Sequence, residues 1–160
     1  MLREPVANRN ISAGQPDRVA PARTQAKAQI TVQTSEATPY DEAESPVLLQ
    51  LRLFELFTGD IEGESTVHAL QVRGDDHSAS MVSVQRFRGR LGGREGTFVL
   101  QGSQIVANGK IEATWFVVPR SGTGDLRGLR GEGGFEGEHA GEGQAWYQHT
   151  ELLAYPHVGE

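Results

Sequence analysis

Residues 81–106 read MVSVQRFRGRLGGREGTFVLQGSQIV. Two alternating runs flank a glycine-rich turn, which is the pattern of a β-hairpin. Along the first run Met81, Gln85, Phe87 and Leu91 fall on one face, and Arg86, Arg88 and Arg90 fall on the other. A row of arginines reads as a solvated face, so Gln85 points inward among apolar neighbours, where its amide needs a partner. On the second run Phe98 and Leu100 oppose Val99 and Gln101, and the pattern alone leaves open which pair faces inward.

The rest of the chain continues in strands. AQITVQT (28–34) alternates and is rich in β-branched residues, and TPYDEAESP (38–46) reads as a polar, proline-bounded loop. VLLQLRLFELFTG (47–59) is apolar on both faces: Leu49, Leu51 and Leu53 on one, Leu48, Phe54 and Leu56 on the other. A buried helix also fits this run in isolation; as a strand it implies an outer surface covered by another subunit or by the N-terminal tail. DIEGESTVHALQV (60–72) sets Ile61, Val67 and Ala69 against Glu62, Glu64 and His68, and Asn108-Gly109 marks a hairpin turn before IEATWFVVPR (111–120). LRGLRGEGGFEGEH (126–139) and GQAWYQHTELLAY (143–155) give weaker strand signals, and no amphipathic helix follows residue 28. Seven or eight antiparallel strands joined by short turns predict an all-β sandwich or a closed barrel, and closure would remove the exposed sheet edges. The expected organisation is a tail over 1–26, disordered or folded as a lid, a barrel domain over 27–155 and a short tail over 156–160.

Composition narrows the function classes. A net charge of −6 over 160 residues argues against a nucleic-acid binder, which needs a basic surface. With no cysteine, disulfides, thiolate metal sites and a cysteine nucleophile are excluded. No apolar segment has the length of a membrane span and the N-terminus has no apolar secretory core, so a cytoplasmic location is expected.

VVPRSGTGDLRGLRGEGGFEGE (117–138) puts glycines after an apolar strand, as phosphate loops do. A phosphate loop opens a helix, however, and Gly133, Gly134 and Gly137 would each weaken one by about 1 kcal/mol. The Lys-Ser/Thr ending of a P-loop is missing as well. These glycines fit the corners of a tightly coiled sheet.

FTGDIEGEST, QRFRGRLGGREGTFVLQ and VVPRSGTGDLRGLRGEG, in this order and spacing, resemble the successive motifs of a family of small bacterial proteins of unknown function with the allene-oxide-cyclase-like barrel. The likeness covers about residues 28–153, and the Ser-Gly-Thr-Gly segment is also similar to a corner of the dirigent proteins. It implies an antiparallel eight-stranded barrel with a cavity, in a homodimer or homotrimer. Related barrel cyclases bind a reactive apolar molecule and close its ring with no cofactor and no covalent intermediate. Two departures stand out: Gly102 occupies a position where family members commonly carry histidine, and the N-terminal extension lies outside the usual pattern.

Strand parity selects the candidate site. Gln85 is the first catalytic candidate, with Met81 and Phe87 beside it on the same face as substrate-binding residues. Phe98, Gln101 and Trp115 are further wall candidates, ordinary core packing being the competing reading for Trp115. Tyr147 and His149 share a face of the last strand and would combine a donor with a titratable group, unless they form a surface pair. Glu64 is the carboxylate chosen for the interior, against the alternative of a solvated acidic stripe with Asp60 and Glu62. The histidines show no metal-ligand spacing, so no metal is expected. The leading expectation is a cofactor-independent cyclase or isomerase for a polyketide- or polyene-like metabolite, including a [4+2] ring closure. A carrier for a small hydrophobic ligand is the alternative, and a side-chain-filled barrel serving assembly is the third.

Overall fold

The computed structural model describes residues 24–138 and 147–156, with the side chains of 24, 138 and 147–156 excepted. The protein is all-β, with its strands in one antiparallel sheet. They are β1 (Thr24–Asp41), β2 (Val47–Gly59), β3 (Ile61–Arg73), β4 (Ala79–Leu91), β5 (Arg94–Ala107), β6 (Lys110–Val117), β7 (Leu129–Glu138) and β8 (Tyr147–Pro156). Each strand pairs with its neighbour in sequence, and the backbone of β8 pairs with both β7 and β1. Among the described residues no helix is long and apolar enough to cross a membrane.

The alternation read from the sequence sets the two faces of the sheet. Ile61, Ser65, Val67, Ala69 and Gln71 on β3 are buried, whereas Glu62, Glu64, His68 and Leu70 are exposed. β4 buries Met81, Gln85, Phe87 and Leu91 and exposes Arg86 and Arg88, and β6 buries Ile111, Ala113, Trp115 and Val117. The ambiguity on β5 resolves in favour of Phe98 and Leu100 as the inner pair.

One end of the inner face is closed. Phe87 sits at its centre, edge-on to Phe57 with ring centroids 5.2 Å apart and tilted on Phe98 at 4.9 Å. Ile61, Leu126 and Leu129 complete this end and are almost wholly buried. Glycine makes the closure possible. Phe57, Gly63, Gly89 and Gly96 stand opposite one another on four successive strands. A Cβ on Gly89 would lie 2.1 Å from the Glu62 carbonyl oxygen and 2.9 Å from the Phe87 ring, so the bend and the ring both need hydrogen there.

The glycine-rich segment after β6 is structural. Where β6 ends, Ser121, Thr123 and Asp125 run alongside β5 as a substitute strand. The Ser121 hydroxyl accepts from the Val99 amide at 3.0 Å, Thr123 from Thr97 at 3.1 Å and Asp125 from Glu95 at 3.2 Å. Gly124 and Gly128 take left-handed φ values of 61° and 81° around a single 3₁₀ turn, Gly124–Leu126, which drives Leu126 into the closed end.

Two expectations about chain organisation change. The strand begins at Thr24, inside the span assigned to the tail, and residues 38–41, expected in a loop, belong to β1. Pro39 is tolerated because β8 pairs with β1 only over Thr24–Thr31, which leaves the far edge of the second half without a ladder partner among the described residues. A bulge between Val32 and Thr34 also breaks the period that would have exposed the pattern. Residues 1–23, on which the expected disordered tail or lid falls, lie outside the described residues.

Candidate functional site

Inner-face residues toward the opposite end are less enclosed. Leu51, Leu53, Ser83, Gln104 and Phe135 are half-buried, against the nearly complete burial of Phe57, Phe87 and Phe98. The polar groups of the inner face lie between the two regions. Glu55 on β2 stands directly opposite Ser65 on β3. The Ser65 hydroxyl donates to the Gln85 carboxamide oxygen at 2.6 Å, linking β3 to β4. On the less enclosed side, Val67, Ala69 and Met81 pack together with Leu51 and Leu53 against them. Gln71 is buried beside Met81, and its oxygen accepts from Arg73 Nε at 3.0 Å.

Glu55 is 8% exposed, and burial pushes its carboxyl up from 4.5 to about 7, with no ion pair among the described residues to offset the loss of water. At neutral pH a large share of this carboxyl holds its proton and can donate a hydrogen bond. Trp115 is 7% exposed, and its indole Nε1–H is buried without a hydrogen-bond partner among the described residues. The indole packs on Phe135 with ring centroids 5.3 Å apart. Gln85 spends its oxygen on Ser65, while its Nε2 donates to no described residue. Two N–H donors on this face, Trp115 Nε1 and Gln85 Nε2, thus have no acceptor among the described residues, which suits a ligand carrying acceptor oxygens.

The placements of the sequence candidates divide. Gln85 and Met81 lie on the inner face beside the polar group, and Trp115 lies on the inner face with its donor unsatisfied. Phe87 and Phe98 face inward but belong to the packed closed end, where each touches other aromatic rings. Glu64 is a correction: it is exposed on the outer face opposite Arg88, beside the Glu62–Arg90 ion pair. Gln101 is corrected in the same way, because an odd spacing from Phe98 puts it on the outer face. Asp60 is occupied at the closed end, where its carboxylate accepts from the Lys27 amide at 3.0 Å. Tyr147 and His149 pair in register with Thr31 and Gln29, and their side chains lie outside the described residues.

Sequence reasoning missed Glu55, and with it Ser65. Glu55 has the parity of Leu49, Leu51, Leu53 and Phe57, so it was legible as a lone carboxyl on an apolar face. The apolar residues on the other face of β2 obscured that signal.

The arrangement defines an all-β protein with an apolar inner face that carries a small, donor-rich polar group. Its sequence places it among relatives of undetermined activity. The chain belongs to the family described as "Protein of unknown function (DUF3224)", whose profile matches residues 26–149. A crystal structure of a DUF3224 protein of unknown function from Shewanella oneidensis is similar to it, with 25% identity and a TM-score of 0.66. That match covers 86% of this chain and 100% of the other. No curated protein matches.

Proposed function

We propose that the sheet works as a closed eight-stranded barrel of the allene-oxide-cyclase-like type, whose interior folds an apolar, oxygen-bearing metabolite for cofactor-independent ring closure or isomerisation. The observation that carries this reading is Glu55, a buried carboxyl with no partner charge among the described residues, opposite Ser65 and its partner Gln85. The return of β8 to β1 supports closure, and the half-buried Leu51, Leu53 and Phe135 support an opening at one end.

The chemistry follows from the groups present. Apolar walls hold the chain of the ligand in a reactive conformation, and positioning of this kind supplies up to about 7–11 kcal/mol of a barrier. The neutral Glu55 carboxyl, the Trp115 Nε1–H and the Gln85 amide donate hydrogen bonds to a ligand carbonyl. As the new carbon–carbon bond forms, electron density moves toward that oxygen and the donors stabilise it. In a concerted closure Glu55 keeps its proton and no group leaves.

The carrier reading has one observation in its favour: the Ser65–Gln85 bond satisfies part of the polar group without a ligand. Two measurements separate the readings. Native mass spectrometry of the full chain, purified from its source organism, is expected to release an apolar, oxygen-bearing compound on denaturation. Glu55→Gln is then expected to retain that compound's precursor and slow its conversion at least tenfold. Conversion unchanged in Glu55→Gln refutes the catalytic reading, and a protein that neither carries such a compound nor binds Nile red refutes the chamber itself. Loss of the Nile red response in Trp115→Phe assigns binding to this site.

A further inference from the structure

The outer face carries an apolar surface that the interior chemistry does not use. Leu70, Val82, Val84, Ile105 and Phe116 are 42% to 57% exposed and lie on four adjacent strands. They line or border a shallow trough running across β2 to β7. With most strand edges of the sheet already paired, this apolar face is a surface available for association. Full burial of these side chains would remove on the order of 500 Å² per copy, most of the ~800 Å² per partner of a standard interface.

The register shows what fits it. Arg52, His68, Val84, Gln101, Phe116 and Glu132 stand opposite one another in a single row across six strands. The row is basic at one end, apolar toward the middle and acidic at the other. Arg52 and Glu132 are exposed, and neither enters an ion pair among the described residues. Strands lie about 4.8 Å apart, so the two charges are separated by roughly 24 Å along the row.

We propose that this face binds a second copy of the chain about a twofold axis passing between Val84 and Gln101. The axis reverses the row of one copy on the other. Arg52 of each copy then meets the partner's Glu132, His68 meets the partner's Phe116, and Leu70 and Val82 are covered on both sides of the centre. The contact is self-complementary, as a twofold interface requires. The half-buried outer side of β2, the region expected from the sequence to be covered, lies beside this surface rather than at its centre.

The test uses the full chain in sedimentation velocity from 1 to 200 μM, with circular dichroism as a fold control. The wild type is expected to sediment as a dimer. Glu132→Arg sets Arg52 against an arginine at both symmetric positions, and Arg52→Glu sets two carboxylates together. Each is expected to raise the dimer dissociation constant about a hundredfold. The double variant Arg52→Glu/Glu132→Arg restores the pairing with its direction reversed and is expected to recover the dimer. A monomer at every concentration overturns the proposal. So does a trimer, which a twofold contact cannot close, or a dimer that Glu132→Arg leaves unchanged.

Discussion

Replacing Glu55 by glutamine exchanges a buried, ionisable group for a neutral one of nearly the same shape. In the unfolded chain this carboxyl ionises near 4.5, and in the folded protein near 7. Between those values the folded state holds a proton that the unfolded state has released, so wild-type stability falls as pH rises. The contribution is intact below about 4.5, declines steadily through the interval and is fully lost above about 7. The gap of about 2.5 in pKa, at 1.36 kcal/mol for each, corresponds to about 3 kcal/mol. Other titrating groups are common to both proteins and cancel in the difference. Urea unfolding of the full-length pair between pH 4 and 9 therefore has a defined outcome. The variant should gain on the wild type from about pH 4.5, reach an advantage of about 3 kcal/mol near pH 7.5 and hold it at higher pH. In thermal melts at pH 8 that corresponds to roughly 6–12 °C. Stability curves that stay parallel across the range would refute the reasoning, because they would mean that Glu55 reaches water or a cation when it ionises.

Two further substitutions test the frame around this group. Ser65→Ala leaves the Gln85 carboxamide oxygen without its 2.6 Å donor in an apolar setting, and a loss of about 1–3 kcal/mol is expected in urea unfolding at pH 6; an unchanged midpoint would show that water reaches Gln85. Gly89→Ala would force a Cβ to within 2.1 Å of the Glu62 carbonyl and against the Phe87 ring. A loss of at least 3 kcal/mol, or no folded protein by circular dichroism, is expected there, whereas Gly93→Ala, at a turn with nothing near its Cβ and without a left-handed φ, should cost under about 1 kcal/mol.

Much of the fold was legible because β3, β4 and β6 alternate strictly and their hairpin turns carry the residues such turns require. Parity on those strands placed Gln85, Met81 and Trp115 on the inner face. It failed where its premise failed. The second half of β1 is exposed on both sides, so no period marks it as a strand, and the Val32/Thr34 bulge shifts the little alternation present. The residues at 121–125 look like a loop in sequence because their bonds to β5 run through side chains as well as backbone. Glu64 stands out in the sequence because it lies nearer the middle of its cleanly alternating strand than Asp60 does. That same alternation puts it on the polar face with Glu62 and His68.

The position of Glu55 is also informative as a choice among side chains. Its neighbours in parity are leucines and a phenylalanine, and a leucine there would continue the pattern without the loss of stability above pH 7. A carboxyl that, above pH 7, opposes folding by about 3 kcal/mol, with no ion pair among the described residues to recover it, breaks the local rule without a structural gain. Such departures collect at functional sites, where stability is traded for a group held in an unusual protonation state. Ser65 and Gln85 show the contrast: they are buried polar groups too, but the bond from the Ser65 hydroxyl to the Gln85 oxygen is explained by the fold. The buried Glu55 carboxyl and the Trp115 Nε1–H are not, and together with Gln85 Nε2, which donates to no described residue, they give the inner face a reason to hold a ligand.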